Sequence, residues 1–197
     1  MAVSYQFDKK RFETFVDAII AILLTILVLE IKIPEDKIEG TSTYEQVRTL
    51  IPYIVSYLAS FMLILGFWID YHLLFVNIMT ISKRFIILNM LFIFSISFAP
   101  FVTAFGGKHY HDAFAVALLG ASYFIMNLSF MLIYLFAKWK NLTDPAFWKD
   151  NKGTARYSAI GIVVLFAAIP LAYVSTYISF VIFLITFGWH LIKKKWY

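Results

Sequence analysis

Six stretches of this chain are apolar over lengths that place them in a membrane: residues 12–33, 50–80, 85–105, 113–137, 157–174 and 177–192. About 20 mostly apolar residues carry a helix across the hydrocarbon core of a bilayer, and each stretch meets or approaches that length. The expected fold is therefore all-α, a polytopic membrane protein with six transmembrane helices. Composition agrees, with 61% hydrophobic and 15% charged residues, far from the balance of a soluble domain. The longest connections, 34–49 and 138–156, are too short to bury cores of their own, so residues 1–197 read as a single six-helix domain. Pro170 and the short Ser175-Thr176 connection divide the last two stretches, because one uninterrupted segment would be too long for a single crossing.

The charges give the topology. Of seventeen Lys and Arg, thirteen fall on one side of the predicted spans: Lys9, Lys10, Arg11, Lys83, Arg84, Lys138, Lys140, Lys149, Lys152, Arg156 and Lys193 to Lys195. By the positive-inside rule that side is cytoplasmic, which puts both termini in the cytoplasm and the chain in the cell membrane. Trp139, Trp148 and Trp196 lie near the same boundary, where amphipathic rings prefer to sit. The other side carries the acidic run Glu35, Asp36 and Glu39. The net charge of +5 flanks the spans instead of forming one patch, so it speaks for a lipid bilayer and against nucleic acid as partner. With no cysteine, disulfides, thiolate catalysis and cysteine-based metal sites are excluded.

Charged and polar side chains inside membrane helices are costly and usually have a task. The first span begins Arg11-Phe-Glu-Thr-Phe15-Val-Asp17, and at 1.5 Å per residue Asp17 lies about 9 Å deeper than Arg11. The second span runs the other way and brings Trp68, Asp70 and His72 to that zone, and Asn89 of the third stands at a similar depth. Arg11 and Asp17, six residues apart, diverge by about 120° around the helix and do not neutralise one another. Their partners are either other helices, in a network that positions the first span, or headgroups and water reached by snorkelling. Beyond Asp17, the residues Ile22, Thr25 or Ile26, and Leu29 stack on one helix face, a spacing that taken alone suits a lipid-facing or packing surface better than a pathway.

With those residues in view, the chain resembles the prokaryotic relatives of the lysosomal potassium channel TMEM175, whose hallmark is Arg-x-x-x-Phe-Ser-Asp at the start of helix 1. Arg11, Phe15 and Asp17 match it, while Val16 occupies the serine place. Ala18 to Pro34, Phe67-Trp68-Ile-Asp-Tyr-His72-Leu-Leu-Phe75, Asn89, and Ser97-Phe-Ala-Pro100-Phe-Val-Thr103-Ala104 extend the likeness through the first half of the chain. The resemblance implies a homotetramer around a central pore lined by helix 1, with no selectivity loop of the Thr-Val-Gly-Tyr-Gly kind. It further implies that Ile22 forms the main hydrophobic constriction, Leu29 an outer apolar ring, and Thr25, beside Ile26, a hydroxyl ring at which potassium passes. Arg11, Phe15 and Asp17 would then hold the helix, with Trp68, His72 and Asn89 as their partners. The expected activity is passive potassium flux with modest preference over sodium, without a cofactor.

Three rivals remain at this point, one of them a structural membrane protein that passes no ion above the level of empty liposomes. An enzyme lacks support, because no nucleophile, base and orienting group occur together. His109-Tyr-His111 is the nearest approach to a metal motif, and paired loop histidines are more often simply solvated. A proton-coupled or proton-conducting transporter is the stronger rival, since Asp17, Asp70 and His72 would stand inside the membrane.

Overall fold

In the computed structural model, which describes residues 8–31, 42–150 and 152–192, eight α-helices and one 3-10 turn follow one another. They are α1 (Lys9–Ile26), the turn Leu27–Glu30, α2 (Thr43–Asn77), α3 (Lys83–Ser97), α4 (Ala99–Lys108), α5 (Ala113–Trp139), α6 (Pro145–Asp150), α7 (Lys152–Leu171) and α8 (Thr176–Ile192). Four rods are long and apolar enough to cross a membrane: Lys9–Glu30, Thr43–Asn77, Lys83–Lys108 and Ala113–Trp139. The acidic run Glu35, Asp36 and Glu39, the basic run Lys193 to Lys195, and Trp196 lie outside the described residues.

The helix starts are written in polar side chains. Asp8 accepts from the amide of Lys10 (2.9 Å), Ser42 from that of Glu45 (3.3 Å), Ser82 from that of Phe85 (3.2 Å) and Asp112 from that of Ala115 (2.9 Å). Each cap satisfies an amide that the first turn leaves without a helical partner.

Several boundaries differ from the sequence expectation. The second rod begins at Thr43, because Ser42 caps it seven residues before the apolar run, and it ends at Asn77 where Ile78 turns extended. The third, expected as one helix over 85–105, is two. Pro100 has no N–H for the carbonyl of Ile96, so the ladder breaks and Phe98 turns its amide back toward Ser95 (3.4 Å). The connection expected over 138–156 contains α6, begun by Pro145 and an Asp144 carboxylate that accepts from the amide of Ala146 (2.7 Å). The connections α2–α3 and α5–α6 pair with each other, the amide of Met79 donating to the carbonyl of Leu142 (2.8 Å). The pairing gathers Lys83, Arg84, Lys138, Lys140 and Lys149 at one end of the molecule, near the start of α1.

α5 is the most deeply buried rod and touches α3, α4, α7 and α8. Phe67 of α2, Phe92 of α3 and Phe130 of α5 meet as three rings with centroids 5.3 to 5.6 Å apart. α2 and α4 approach closely: a Cβ added at Gly107 would stand 3.1 Å from the Cα of Tyr53. Just beyond the break at Phe98, Ser60 of α2 hydrogen-bonds to Thr103 of α4 and to the hydroxyl of Tyr123 of α5 (2.6 Å). Thr103 gives its proton to the carbonyl of Ala99 (2.6 Å), so the chain has one direction: Tyr123 donates to Ser60, and Ser60 to Thr103. All three residues are buried.

That shared chain makes the members interdependent. Ser60→Ala and Tyr123→Phe should each lower stability by about 1 kcal/mol. The double variant should cost less than the sum of the two by more than about 0.5 kcal/mol. Chemical denaturation in detergent measures both, and strict additivity would show that the hydroxyls act separately.

Candidate functional site

α1 is the least covered of the four rods, and its two faces differ sharply. Phe12, Val16, Ile20, Leu23 and, in the 3-10 turn, Leu27 are buried against the rest of the chain. Arg11, Phe15, Ala18, Ile22, Thr25, Ile26 and Leu29 form an exposed stripe along the opposite side, with Ile22 56% and Leu29 67% exposed. The structure thus places Arg11 and Phe15 on the same face as Ile22, Thr25, Ile26 and Leu29. Three- and four-residue steps keep that face aligned over the α-helix. After Ile26 the backbone tightens to the 3-10 form, in which residues three apart eclipse, so Leu29 stands directly in line with Ile26.

Thr25 donates its hydroxyl proton to the carbonyl of Ile22 in its own helix (2.8 Å). The proton is turned inward, and the oxygen lone pairs are left for whatever stands against the stripe. The same back-bond withdraws part of a helical acceptor one residue before the helix ends at Ile26, a position where such bonds favour local rewinding.

Asp17 points away from the stripe. Its carboxylate accepts from the indole N–H of Trp68 on α2 (3.2 Å), and His72, one turn further on, stacks on that indole with ring centroids 5.9 Å apart. The depths match: Asp17 is eight residues past the start of α1 and Trp68 nine before the end of α2, about 12 to 14 Å along antiparallel helices. Asn89 is fully buried on α3 and donates to the carbonyl of Phe85 (2.7 Å), within its own helix, so it stands apart from the Asp17–Trp68 pair. Arg11 is exposed and makes no hydrogen bond or ion pair within the chain among the described residues. Phe15 meets only the edge of the core, its ring centroid 6.5 Å from that of Phe12.

Val16 is 0% exposed, one turn above Phe12, whose ring lies 6.1 Å from that of Phe75. The methyls of Val16 therefore fill the α1–α2 seam where the signature of the resembled channels carries a hydroxyl. Asp70 is buried on α2 and has an interaction partner, so it is no exposed relay group. At the opposite end of the molecule, His111 Nδ1 lies 3.3 Å from the hydroxyl of Tyr177, joining the α4–α5 turn to the start of α8. Among the described residues, no three His, Asp or Glu side chains come together as metal ligands.

The hydroxyl chain of Ser60, Thr103 and Tyr123 was not expected from sequence. Ser, Thr and Tyr are scattered through every span, and only the packing of α2, α4 and α5 shows which of them meet.

Residues 11–100 match the family model described as endosomal/lysosomal potassium channel TMEM175. A potassium channel of Chamaesiphon minutus is 36% identical over 100 residues, 50% of this chain and 49% of that protein. One of a Chryseobacterium species is 26% identical over 125 residues, 64% of this chain and 62% of that protein. The matched segments thus span about half to under two thirds of these relatives' length. Among solved structures, a lysosomal potassium-selective channel TMEM175 homolog from Chamaesiphon minutus superposes with a TM-score of 0.84 at 22% identity, covering 94% of this chain and 97% of that one. A variant of the potassium channel MtTMEM175, in complex with a nanobody fusion, gives 0.60 at 20% identity, covering 98% and 96%. Both likenesses concern the fold.

The Asp17–Trp68 bond joins α1 to α2. Asp17→Ala should lower the melting temperature, whereas Asp17→Asn, which keeps an acceptor oxygen, should lower it less. Combining Asp17→Ala with Trp68→Phe should cost little more than the worse single change. Thermal melts of the four variants measure this, and full additivity would dissociate the two side chains.

Proposed function

We propose that this protein, which belongs to the TMEM175 family, is a potassium-permeable channel of the cell membrane, built from four copies whose α1 helices line a central pore. The observation that carries the reading is the uncovered stripe of α1. It is apolar at Ile22, Ile26 and Leu29, carries hydroxyl oxygens at Thr25, and bears Arg11 at its end. A single copy leaves this stripe open, and four copies around an axis would bring the stripes face to face. In this reading α7 and α8 complete six crossings, and the basic end with both termini is cytoplasmic.

The chemistry follows from the residues on the stripe. Ile22 is the main constriction: a narrow ring of isoleucines excludes water, and a cation does not shed its hydration there without replacement ligands. Conduction therefore requires that ring to widen. Four Thr25 oxygens, their protons turned back to the Ile22 carbonyls, replace part of a hydration shell. That favours the more easily dehydrated potassium over sodium, and only modestly, because four ligands replace only part of the shell. Ile26 and Leu29, eclipsed in the tightened turn, form a second apolar neck. Asp17, through Trp68 with His72 stacked behind it, sets which face of α1 meets the axis, and Asn89 steadies α3 from within.

Purified protein in liposomes should pass potassium down its gradient with no pH gradient imposed. An obligatory proton requirement would instead favour the proton-coupled transporter. Ile22→Asn, which puts polar amides at the neck, should raise cation leak by about tenfold and weaken the preference for potassium. Unchanged flux through a folded tetramer would remove Ile22 from the gate.

A further inference from the structure

The break before Pro100 detaches α4 from the hydrogen-bond ladder of α3, so α4 must be held in place by its sides. Those sides are unusual for a short membrane helix. Gly107 allows α4 to within van der Waals contact of Tyr53 on α2, and Gly106 allows it against Leu119 of α5. Between α4 and its two neighbours runs the hydroxyl chain from Tyr123 through Ser60 to Thr103 and the carbonyl of Ala99, at the first turn of α4. The remaining side of α4 packs, together with α2, against the 3-10 turn Leu27–Glu30, whose Leu27 is fully buried. Leu29, two residues later in the same tight turn, is the turn's most exposed side chain, beside the exposed Val28.

We infer that Ser60, Thr103 and Tyr123 are positioning residues for the outer neck of the pore: they fix α4, α4 fixes Leu27, and Leu27 fixes where Leu29 stands. The inference rests on the reading of α1 as the pore helix. Hydroxyls suit the task because they define a register. An apolar contact between α2, α4 and α5 would tolerate sliding by fractions of an ångström, whereas a chain of three donors ending on one carbonyl has a single satisfied arrangement. The inner neck at Ile22 lies more than a helical turn before Leu27, on α1, which packs mainly on α2 and only slightly on α4, so this chain should affect it far less.

The protein contains no cysteine, which makes a single introduced one a clean reporter. Leu29→Cys and Ile22→Cys are made separately, reconstituted in liposomes, and treated with a hydrophilic methanethiosulfonate reagent while potassium flux is followed. Each is then combined with Thr103→Val, with Tyr123→Phe, and with Thr103→Ser, which keeps the hydroxyl. Thr103→Val and Tyr123→Phe should change the modification rate at Leu29→Cys by about threefold or more, leave that at Ile22→Cys within about twofold, and shift the potassium-to-sodium permeability ratio. Thr103→Ser should behave as the unsubstituted chain. If Thr103→Val does not fold, Tyr123→Phe carries the test. Unchanged rates at Leu29→Cys, equal changes at both cysteines, or a Thr103→Ser variant that behaves like Thr103→Val would each overturn the inference. If modification of neither cysteine alters flux, the pore reading fails and takes the inference with it, a result distinct from the other three.

Discussion

Hydrocarbon tails are as apolar as leucine, so helices that meet inside a membrane gain little from hiding apolar surface from their solvent. What holds this chain together must be close packing and hydrogen bonds, and the structure concentrates both around α5. Gly106, Gly107 and Gly120 let neighbours approach where a Cβ would collide or crowd. The ring trio of Phe67, Phe92 and Phe130 joins α2, α3 and α5, Phe67 and Phe92 edge to face and the other two pairs tilted, and such ring pairs contribute about 0.5–1.5 kcal/mol each beyond simple contact. The hydroxyl chain and the Ser95–Ser129 bond (2.9 Å) add the directional component.

α1 stands outside that economy of packing. Its far side is exposed, and the row from Phe12 to Leu27, with the partly buried Ile19 and Leu24, packs it on the bundle. An apolar row alone permits the helix to roll, because one aliphatic side chain fits a neighbouring groove about as well as the next. The bond from Trp68 to Asp17 adds a directional contact between α1 and α2, and in the proposed channel it would oppose that roll.

Much of this was legible in the residues themselves. Continuous apolar runs locate the rods, and the caps at Ser42, Ser82 and Asp112 mark their starts more sharply than hydropathy does. Counting residues from the helix ends places Asp17, Trp68 and Asn89 at one depth, and depth is one coordinate of two. Rotation about the axis is the other, and it separates Trp68, which reaches Asp17, from Asn89, which turns to its own helix. Pro100 is visible as a helix breaker, yet an apolar run continuous across it conceals that the span becomes two helices. The hydroxyl chain was hidden for the same reason as the azimuths: which Ser, Thr and Tyr meet depends on how three helices cross.

The open stripe of α1 also bears on how such an assembly comes into being. Ile22, Ile26 and Leu29 are as acceptable to lipid as to one another, so in the proposed assembly each copy would complete its fold in the bilayer before it meets a partner. Little is then exposed that would aggregate while it waits. In the proposed four-copy assembly, association follows folding as a separate equilibrium, and far below saturation the amount of tetramer rises with the fourth power of protomer density in the membrane. The quantity of protein inserted would then act on conductance much more steeply than in proportion.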